Sequence, residues 1–177
     1  ELKQIGFIIV LNSNGKFLRI EDRRKDISRA QEFLVMKSVN RTSAPKANYL
    51  YDNSQYVFGY SEKNEDKNSK YFDLFKAKIK EIYESHPDSR DLKAISKFYE
   101  NSRTEIIDAL KKDNLWDEVK KSLNKRYSIF TFLIEGDTRI VAEKQELLSL
   151  SEEGNNSNDK NICLITGNRS KVVQTTT

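Results

Sequence analysis

The sequence is poor in the residues that most often carry catalysis or bind metals. Its 177 residues include one cysteine, Cys163, and one histidine, His86. A single cysteine excludes an intramolecular disulfide and favours a reducing, cytoplasmic setting. One histidine and one cysteine cannot form the usual zinc sites of four such ligands. A Ser-His-Asp triad would have only His86 as its base, and the position of His86 before Pro87 favours a surface turn instead.

Phosphate loops and membrane spans are also missing. The six glycines are scattered and form neither G-x-x-x-x-G-K-[ST] nor G-x-G-x-x-G. The longest apolar run, Ile5 to Leu11, has the length of a strand and is far shorter than the ~20 residues of a membrane span. Acidic metal sites stay open at Glu21 with Asp22 and around Asp113, but the basic residues interleaved there favour surface charge. We therefore predict no catalytic residue, metal, cofactor or membrane partner.

The apolar pattern that is present predicts an α+β fold. Hydrophobic residues make up 37% of the chain, enough to bury a core. We expect antiparallel strands from both ends of the chain and a central helical block between them. The predicted strands are Ile5–Leu11, Lys16–Ile20, Phe33–Val39, Tyr127–Ile134, Thr138–Val141 and Ile162–Thr166. A turn is predicted at residues 12–15, because Asn-Ser-Asn-Gly is a strong turn sequence.

Helices are predicted from apolar spacing and from capping patterns. Phe72, Phe75, Ile79 and Ile82 share one helical face. Ser102 with Glu105, and Asp52 with Gln55, fit the capping box, the second pair opening a short helix that runs to about Tyr60. Another helix is possible over Glu143–Leu150. We interpret the chain as one N-terminal domain, with parts 1–60, 69–124 and 127–173, cut from a longer protein because it starts at Glu1 and ends in bare threonines.

Positive charge is concentrated early in the chain. The net charge is +4, and the segment from Lys16 to Lys46 alone carries nine basic residues against four acidic ones. Such a concentration favours a polyanionic partner, although a solvated loop with lysines for solubility would have the same composition. The candidate basic patch consists of Arg23, Arg24, Lys25, Arg29 and Lys37.

The segment 41–60 that follows combines cations, hydroxyls, amides and tyrosines, the residue types that suit duplex DNA. Its cations can neutralise phosphates, and its hydroxyls and loop N–H groups can fix the register of the strand. Its amides can reach base edges, although in the minor groove they separate little more than A·T from G·C. The alternative is that its tyrosines pack the core and Asp52 only caps a helix. The candidate DNA-binding residues are Arg41, Thr42, Ser43, Lys46, Asn48 and Asn53.

Four segments carry a resemblance to a known family. The segment N-R-T-S-A-P-K-A-N-Y-L-Y-D-N-S-Q-Y-V-F-G, residues 40–59, resembles a signature of the large subunit of the type I-C CRISPR surveillance complex (Cascade), the Dvulg-subtype family. Agreeing in order are I-G-F-I-I-V-L-N-S-N-G-K-F at 5–17, S-I-F-T-F-L-I-E-G-D at 128–137 and N-I-C-L-I-T-G-N at 161–168. Each match is short, but their shared order and spacing cover nearly the whole chain.

The resemblance implies a non-catalytic DNA-recognition subunit. Such a subunit reads the short motif beside the target (the PAM) in double-stranded DNA and helps to open the target strand for guide-RNA pairing. Implied partners are the guide RNA, other Cascade subunits and a separately recruited helicase-nuclease, with a phage anti-CRISPR inhibitor as a further possible partner. The family positions that match are Arg41, Thr42, Ser43, Asn48, Asp52, Asn53 and Tyr56.

The resemblance assigns roles within this loop. Asp52 and Tyr56 would shape it from below, and Asn48 or Asn53 would meet the bases. One departure is that Ala47 stands where many relatives have proline, with Pro45 two residues upstream, so the sequence leaves open which asparagine points outward. Two other functions stay open: a scaffold that contacts the guide 5′ end and neighbouring subunits without reading the PAM, and, more weakly, a metal-dependent nuclease.

Overall fold

The computed structural model describes residues 1–63 and 65–149. The strands in these residues are β1 (Leu2–Ile5), β2 (Phe7–Leu11), β3 (Phe17–Asp22), β4 (Gln31–Leu34), β5 (Tyr51–Asn53) and β6 (Ile129–Ile134). The α-helices are α1 (Ser54–Val57), α2 (Glu65–Ser85), α3 (Arg90–Phe98), α4 (Arg103–Leu110), α5 (Trp116–Ser122) and α6 (Gln145–Leu148), with a 3₁₀ turn at Val141–Glu143. Glu1–Lys144 forms one compact unit, and α6 belongs to a second that begins at Gln145.

Strand β2 lies at the centre of a four-stranded sheet with the order β3-β2-β6-β5. Its five residues are all buried, as expected for an uninterrupted apolar run covered on both faces. β3 pairs with β2 antiparallel, whereas β6 runs parallel to it, with Phe7 opposite Phe130. The predicted α+β class, with early and late strands around central helices, is confirmed. Three of the four strand pairings in the described residues are antiparallel, and β2–β6 is the parallel one.

The first predicted strand is divided by Gly6. β1 leaves the main sheet and pairs with β4 in a separate two-stranded sheet, with Leu2 opposite Leu34. A Cβ atom on Gly6 would lie 2.4 Å from the carbonyl oxygen of Tyr127. Only glycine permits that approach, and the chain passes from the small sheet to the main sheet at this residue.

The predicted turn at residues 12–15 forms and contacts the helical block. The N–H of Gly15 donates to the carbonyl oxygen of Asn12 at 2.9 Å, and Gly15 has a φ of +79°. A side chain there would lie 2.4 Å from the carbonyl oxygen of Ala94 in α3. The β2–β3 hairpin therefore fits closely against α3.

The helical block buries the stripes that the sequence predicts. Helix α2 buries its predicted apolar face. The capping box of Ser102 and Glu105 opens α4 as expected. The rings of Phe75, Phe98 and Phe132 surround Tyr99 at centroid distances of 5.2–6.0 Å. These aromatic residues form the contact between helices and sheet.

Several boundaries differ from the predictions. Asp52 is not a helix cap, because it lies in β5 and Asn53 caps α1 through its side chain. Helix α1 ends at Val57 rather than near Tyr60. Residues 138–141 do not form a return strand, and the helix predicted over 143–150 is divided between the 3₁₀ turn and the short α6. The strand predicted at Phe33–Val39 corresponds to β4, which is shorter and begins earlier, at Gln31. The strand predicted at 162–166, with Cys163, lies outside the described residues.

No helix among the described residues has the length and apolar character that crossing a bilayer requires.

The Tyr99 hydroxyl links α3 to the segment that carries the candidate site. It is fully buried and donates to the carbonyl oxygen of Val57 at 2.6 Å. Tyr99→Phe should lower the free energy of unfolding by about 1–3 kcal/mol, because it leaves a buried carbonyl without its donor. Urea denaturation measures this loss. Tyr83→Phe is the matched control, since Tyr83 is half-buried and its hydroxyl makes no hydrogen bond within the described residues. Equal losses in both variants would contradict the prediction.

Candidate nucleic-acid interface

A single buried carboxylate holds the loop between β4 and β5. Asp52 lies in the edge strand β5 with 1% of its surface exposed. Its Oδ2 accepts hydrogen bonds from the guanidinium of Arg41 and, at 2.9 Å, from the backbone N–H of Asn48. Its Oδ1 accepts from the backbone N–H of Asn53 at 2.9 Å. One side chain therefore ties two points of the loop, Arg41 and Asn48, to strand β5, and also accepts from Asn53 within that strand.

Arg41 has three internal partners. Besides Asp52, its Nε donates to the carbonyl oxygen of Lys46 at 2.7 Å, and its guanidinium carbon lies 4.2 Å from the ring centre of Tyr56. Tyr56 is stacked in turn on Tyr71, with centroids 4.8 Å apart. A planar guanidinium suits a carboxylate, a carbonyl and an aromatic face at once, which a lysine does not. Arg41 thus closes the loop, and only its solvent-facing part is left for the phosphate contact predicted from sequence.

The pKa of Asp52 reflects opposing influences. Burial raises the pKa and is the largest influence, while Arg41 and the N–H groups of Asn48 and Asn53 lower it by favouring the carboxylate. The resulting pKa lies above the ordinary value of an aspartate. The charged form of Asp52 consequently depends on Arg41.

The tip of the loop presents exposed polar groups. Thr42, Ser43 and Lys46 are all exposed. The N–H of Thr42 donates to Oδ1 of Asn40 at 2.9 Å, an arrangement that stabilises the turn. Lys46 makes no ion pair with the part of the chain that the structure describes. These side chains and the adjoining N–H groups have the chemistry of phosphate contacts.

The two asparagines differ in position. Asn48 is 5% exposed, and its Oδ1 accepts from the N–H of Val39 at 2.9 Å. Its side chain braces the loop from inside, which does not suit the base contact expected from sequence. Asn53 is half-buried, and its Oδ1 accepts from the N–H groups of Gln55 and Tyr56. The amide nitrogen of Asn53 makes no hydrogen bond with the described residues, so Asn53 is the better placed of the two.

The arginines of the early basic segment are largely neutralised. Arg24 binds Asp22 at 2.6 Å and Glu118 of α5 at 3.2 Å, and its guanidinium lies over the ring of Phe7. The hydrogen bonds that Arg24 donates to the carboxylate of Asp22 raise the pKa of Arg24.

The neighbouring arginines are paired as well. Arg23 binds Glu21 at 2.5 Å, and Arg29 binds Asp26 at 2.8 Å. Of the predicted patch, only Lys25 and Lys37 make no ion pair with described residues. No hydrogen bond or ion pair joins this patch to the loop at 41–46 within residues 1–63 and 65–149.

Sequence reasoning missed a second group of cations near α5. A groove of about 580 Å³ lies between residues 22–27, at and after the end of β3, and the C-terminal end of α5. Lys25, Lys121 and Lys125 line it together with the ion-paired Arg24. The run K-K-S-L-N-K-R at 120–126 shows these cations in the sequence. The sequence alone does not show which surface of the fold the run lines.

The acidic residues considered as metal ligands have other partners. The side chain of Asp113 accepts from the N–H groups of Ile20 and Leu115, both at 2.8 Å. Asp117 pairs with Lys120 at 2.8 Å. Within the described residues, no group of three or more histidines, cysteines or carboxylates is placed to hold a metal ion. The carboxylates of Asp113 and Asp117 thus already accept from donors of the protein itself.

Replacing Arg41 should make the stability depend more strongly on pH. Arg41→Ala removes the cation that lowers the pKa of buried Asp52, so this pKa rises further and the folded state retains a proton that the unfolded chain loses near pH 4. The free energy of unfolding should therefore fall as pH rises from about 4 towards the folded pKa. At neutral pH we expect a loss of about 2–3 kcal/mol, below that of a fully buried pair because Arg41 is partly exposed.

Urea titrations of Arg41→Ala at several pH values measure both effects. Arg29→Ala is the control, since it breaks an exposed ion pair whose loss should change the stability little. A flat difference between Arg41→Ala and the unchanged chain across this pH range would show that Asp52 is not held by Arg41.

The family model described as CRISPR-associated protein (Cas_Csd1) matches residues 1–177, the full sequence. Comparison with curated proteins gave no match. The match confirms the resemblance derived from the four sequence segments. The chain therefore belongs to the Cas_Csd1 family of CRISPR-associated proteins, whose members are large subunits of the type I-C surveillance complex.

Proposed function

We propose that the chain is a non-catalytic module that contacts the PAM duplex and assists target-strand opening for guide-RNA pairing. The observation that carries this proposal is the loop at 41–46, which is exposed at its tip and fixed at its base by Asp52. A preorganised loop loses little conformational freedom on binding, so its contacts contribute more to affinity. Family membership supplies the setting, a CRISPR surveillance complex with other Cascade subunits.

Phosphate contact is the first part of the proposed role. The Lys46 ammonium and the hydroxyls of Thr42 and Ser43 lie within one short exposed segment. Cations and hydroxyls of this kind position a duplex without reading its sequence. Lys25 and Lys37 can extend the contact, because neither is occupied by a carboxylate among the described residues.

Base contact is the second part, and Asn53 is the residue we assign to it. Its Oδ1 caps α1, so the amide nitrogen is the group left for a base edge. A single donor distinguishes few base pairs, most simply A·T from G·C in the minor groove. Asp52 and Tyr56 contribute indirectly, because they hold Arg41 and with it the shape of the loop.

A scaffold without PAM readout is the second candidate. Leu2 and Leu34 are 67% and 52% exposed and lie opposite each other across β1 and β4. A pair of apolar side chains on a small sheet suits a protein neighbour better than DNA. In that role the chain would contact neighbouring subunits and the guide 5′ end. A helicase-nuclease or a phage inhibitor would bind the assembled complex.

Replacing Lys46 should weaken duplex binding in a salt-dependent way. Lys46→Ala should reduce the slope of log affinity against log salt concentration by about 1, the effect of one lost phosphate contact. Fluorescence anisotropy with the assembled complex on target duplex measures the slope. Lys93→Ala removes an exposed lysine of α3 that makes no ion pair with the described residues, and it should leave the slope unchanged. The same slope for all three proteins would exclude Lys46 from the interface.

Replacing Asn53 should blunt PAM preference. Asn53→Ser keeps an oxygen that can cap α1 but removes the amide donor. We expect discrimination between PAM sequences to fall by roughly 1–3 kcal/mol while non-specific binding stays the same. Competition binding with a set of PAM duplexes measures this. Equal binding of all PAM duplexes by the unchanged complex would favour the scaffold, and full discrimination by Asn53→Ser would remove Asn53 from readout.

A further inference from the structure

A second groove, which we call the Ser128 groove, opens beside Asn53. It has a volume of about 420 Å³ and lies between residues 61–63, which follow α1, and residues 123–128, which follow α5. The lining residues used below are Asn53, Glu62, Lys63, Lys125, Arg126 and Ser128. Three of these are cationic and one is acidic, so the lining keeps a positive excess.

The hydroxyl of Ser128 lacks a partner. Ser128 is 2% exposed and lines the groove, yet its Oγ makes no hydrogen bond with the described residues. Its backbone N–H is used, donating to the carbonyl oxygen of Lys125 at 3.0 Å. Buried hydroxyls are nearly always paired, so an unpaired one on the wall of a groove indicates a partner that enters from outside.

The cations of the groove are free as well. Lys63, Lys125 and Arg126 make no ion pair within residues 1–63 and 65–149, unlike Lys120 and Lys121 of the neighbouring helix. Lysine, arginine and an unpaired hydroxyl can all donate hydrogen bonds. Donors around a concave surface of positive charge form a receptor for an oxyanion, and charge-assisted bonds to such a group are the stronger kind.

We propose that the Ser128 groove binds a backbone phosphate of a single nucleic-acid strand. Ser128 Oγ donates to a phosphate oxygen, and Arg126 and the two lysines neutralise the charge. A single strand can turn one phosphate into a concave groove, whereas a duplex is too wide to bring a phosphate to a buried hydroxyl. Asn53 lies in this groove and directly follows Asp52, which holds the loop, so a strand leaving a duplex at the loop would reach the groove. The inference rests on the proposed function in assuming a nucleic-acid partner.

Ser128→Ala separates binding from folding. The variant removes an unpaired buried hydroxyl, so its melting temperature without ligand should equal or exceed that of the unchanged chain. Its affinity for a labelled single-stranded oligonucleotide should fall about tenfold, the effect of one hydrogen bond to a charged group. Arg126→Ala should show a similar loss, and Lys93→Ala should show none. Fluorescence anisotropy and thermal denaturation of the 177-residue chain measure both properties.

Inorganic phosphate provides an independent probe. It should raise the melting temperature of the unchanged chain and raise it less in Ser128→Ala and Arg126→Ala, because inorganic phosphate presents the same kind of oxyanion as a backbone phosphate. Undiminished oligonucleotide binding by Ser128→Ala would overturn the proposal. A lowered melting temperature of Ser128→Ala without ligand would also overturn it, since the hydroxyl would then have an internal partner.

Duplex DNA distinguishes failure of this inference from failure of the proposed function. If duplex binding depends on Lys46 but single-strand binding does not depend on Ser128, only the groove assignment is wrong. If single-strand binding depends on Ser128 but duplex binding does not depend on Lys46, the groove assignment stands and the proposed duplex contact fails. Absence of binding to either nucleic acid would overturn both.

Discussion

The carboxylate of Asp52 is removed from water at the edge of the main sheet, and a buried charge is tolerated only where donors replace the lost hydration. Three donors do so here: the guanidinium of Arg41 and the N–H groups of Asn48 and Asn53. Arg41 and Asn48 lie in the loop, whereas Asp52 and Asn53 lie in β5, so the hydrogen bonds to this one carboxylate fix two points of the loop against the strand. The exposed tip therefore lies between two positions that Asp52 holds in place.

Prediction from sequence succeeded where the signal was local. The turn at 12–15, the capping box of Ser102 and Glu105 and the apolar stripe of α2 each lie within a few consecutive turns of chain. It failed where distant residues decide the outcome. Asp52 is a residue type typical of helix caps, but its pairing with Arg41 and its register opposite Phe130 place it in a strand. Asn53 caps α1 instead. Likewise, nothing near Asn48 indicates that its side chain is used by Val39.

The distribution of charge along the chain differs from its distribution in space. The early arginines pair with carboxylates close in sequence, and Arg24 also reaches Glu118 of α5. Among the described residues, Lys25, Lys37 and Lys46 of the early segment make no ion pair. Lys125 and Arg126, which also make none, follow α5, where a net-charge count along the chain gives no prominent signal. A counted excess of basic residues thus indicates a polyanion partner more reliably than it locates the surface that meets it.

The parallel pairing of β2 with β6 also bears on how the protein is made. Phe7 meets Phe130 across a chain separation of about 120 residues, the helical block lying between them. At typical rates of translation, roughly 10 s pass between the synthesis of one strand and that of its neighbour. During that interval β2 can form its hairpin with β3 but leaves its other edge open, an apolar template for aggregation. The nascent subunit would thus require a chaperone or rapid helix docking before the sheet can close.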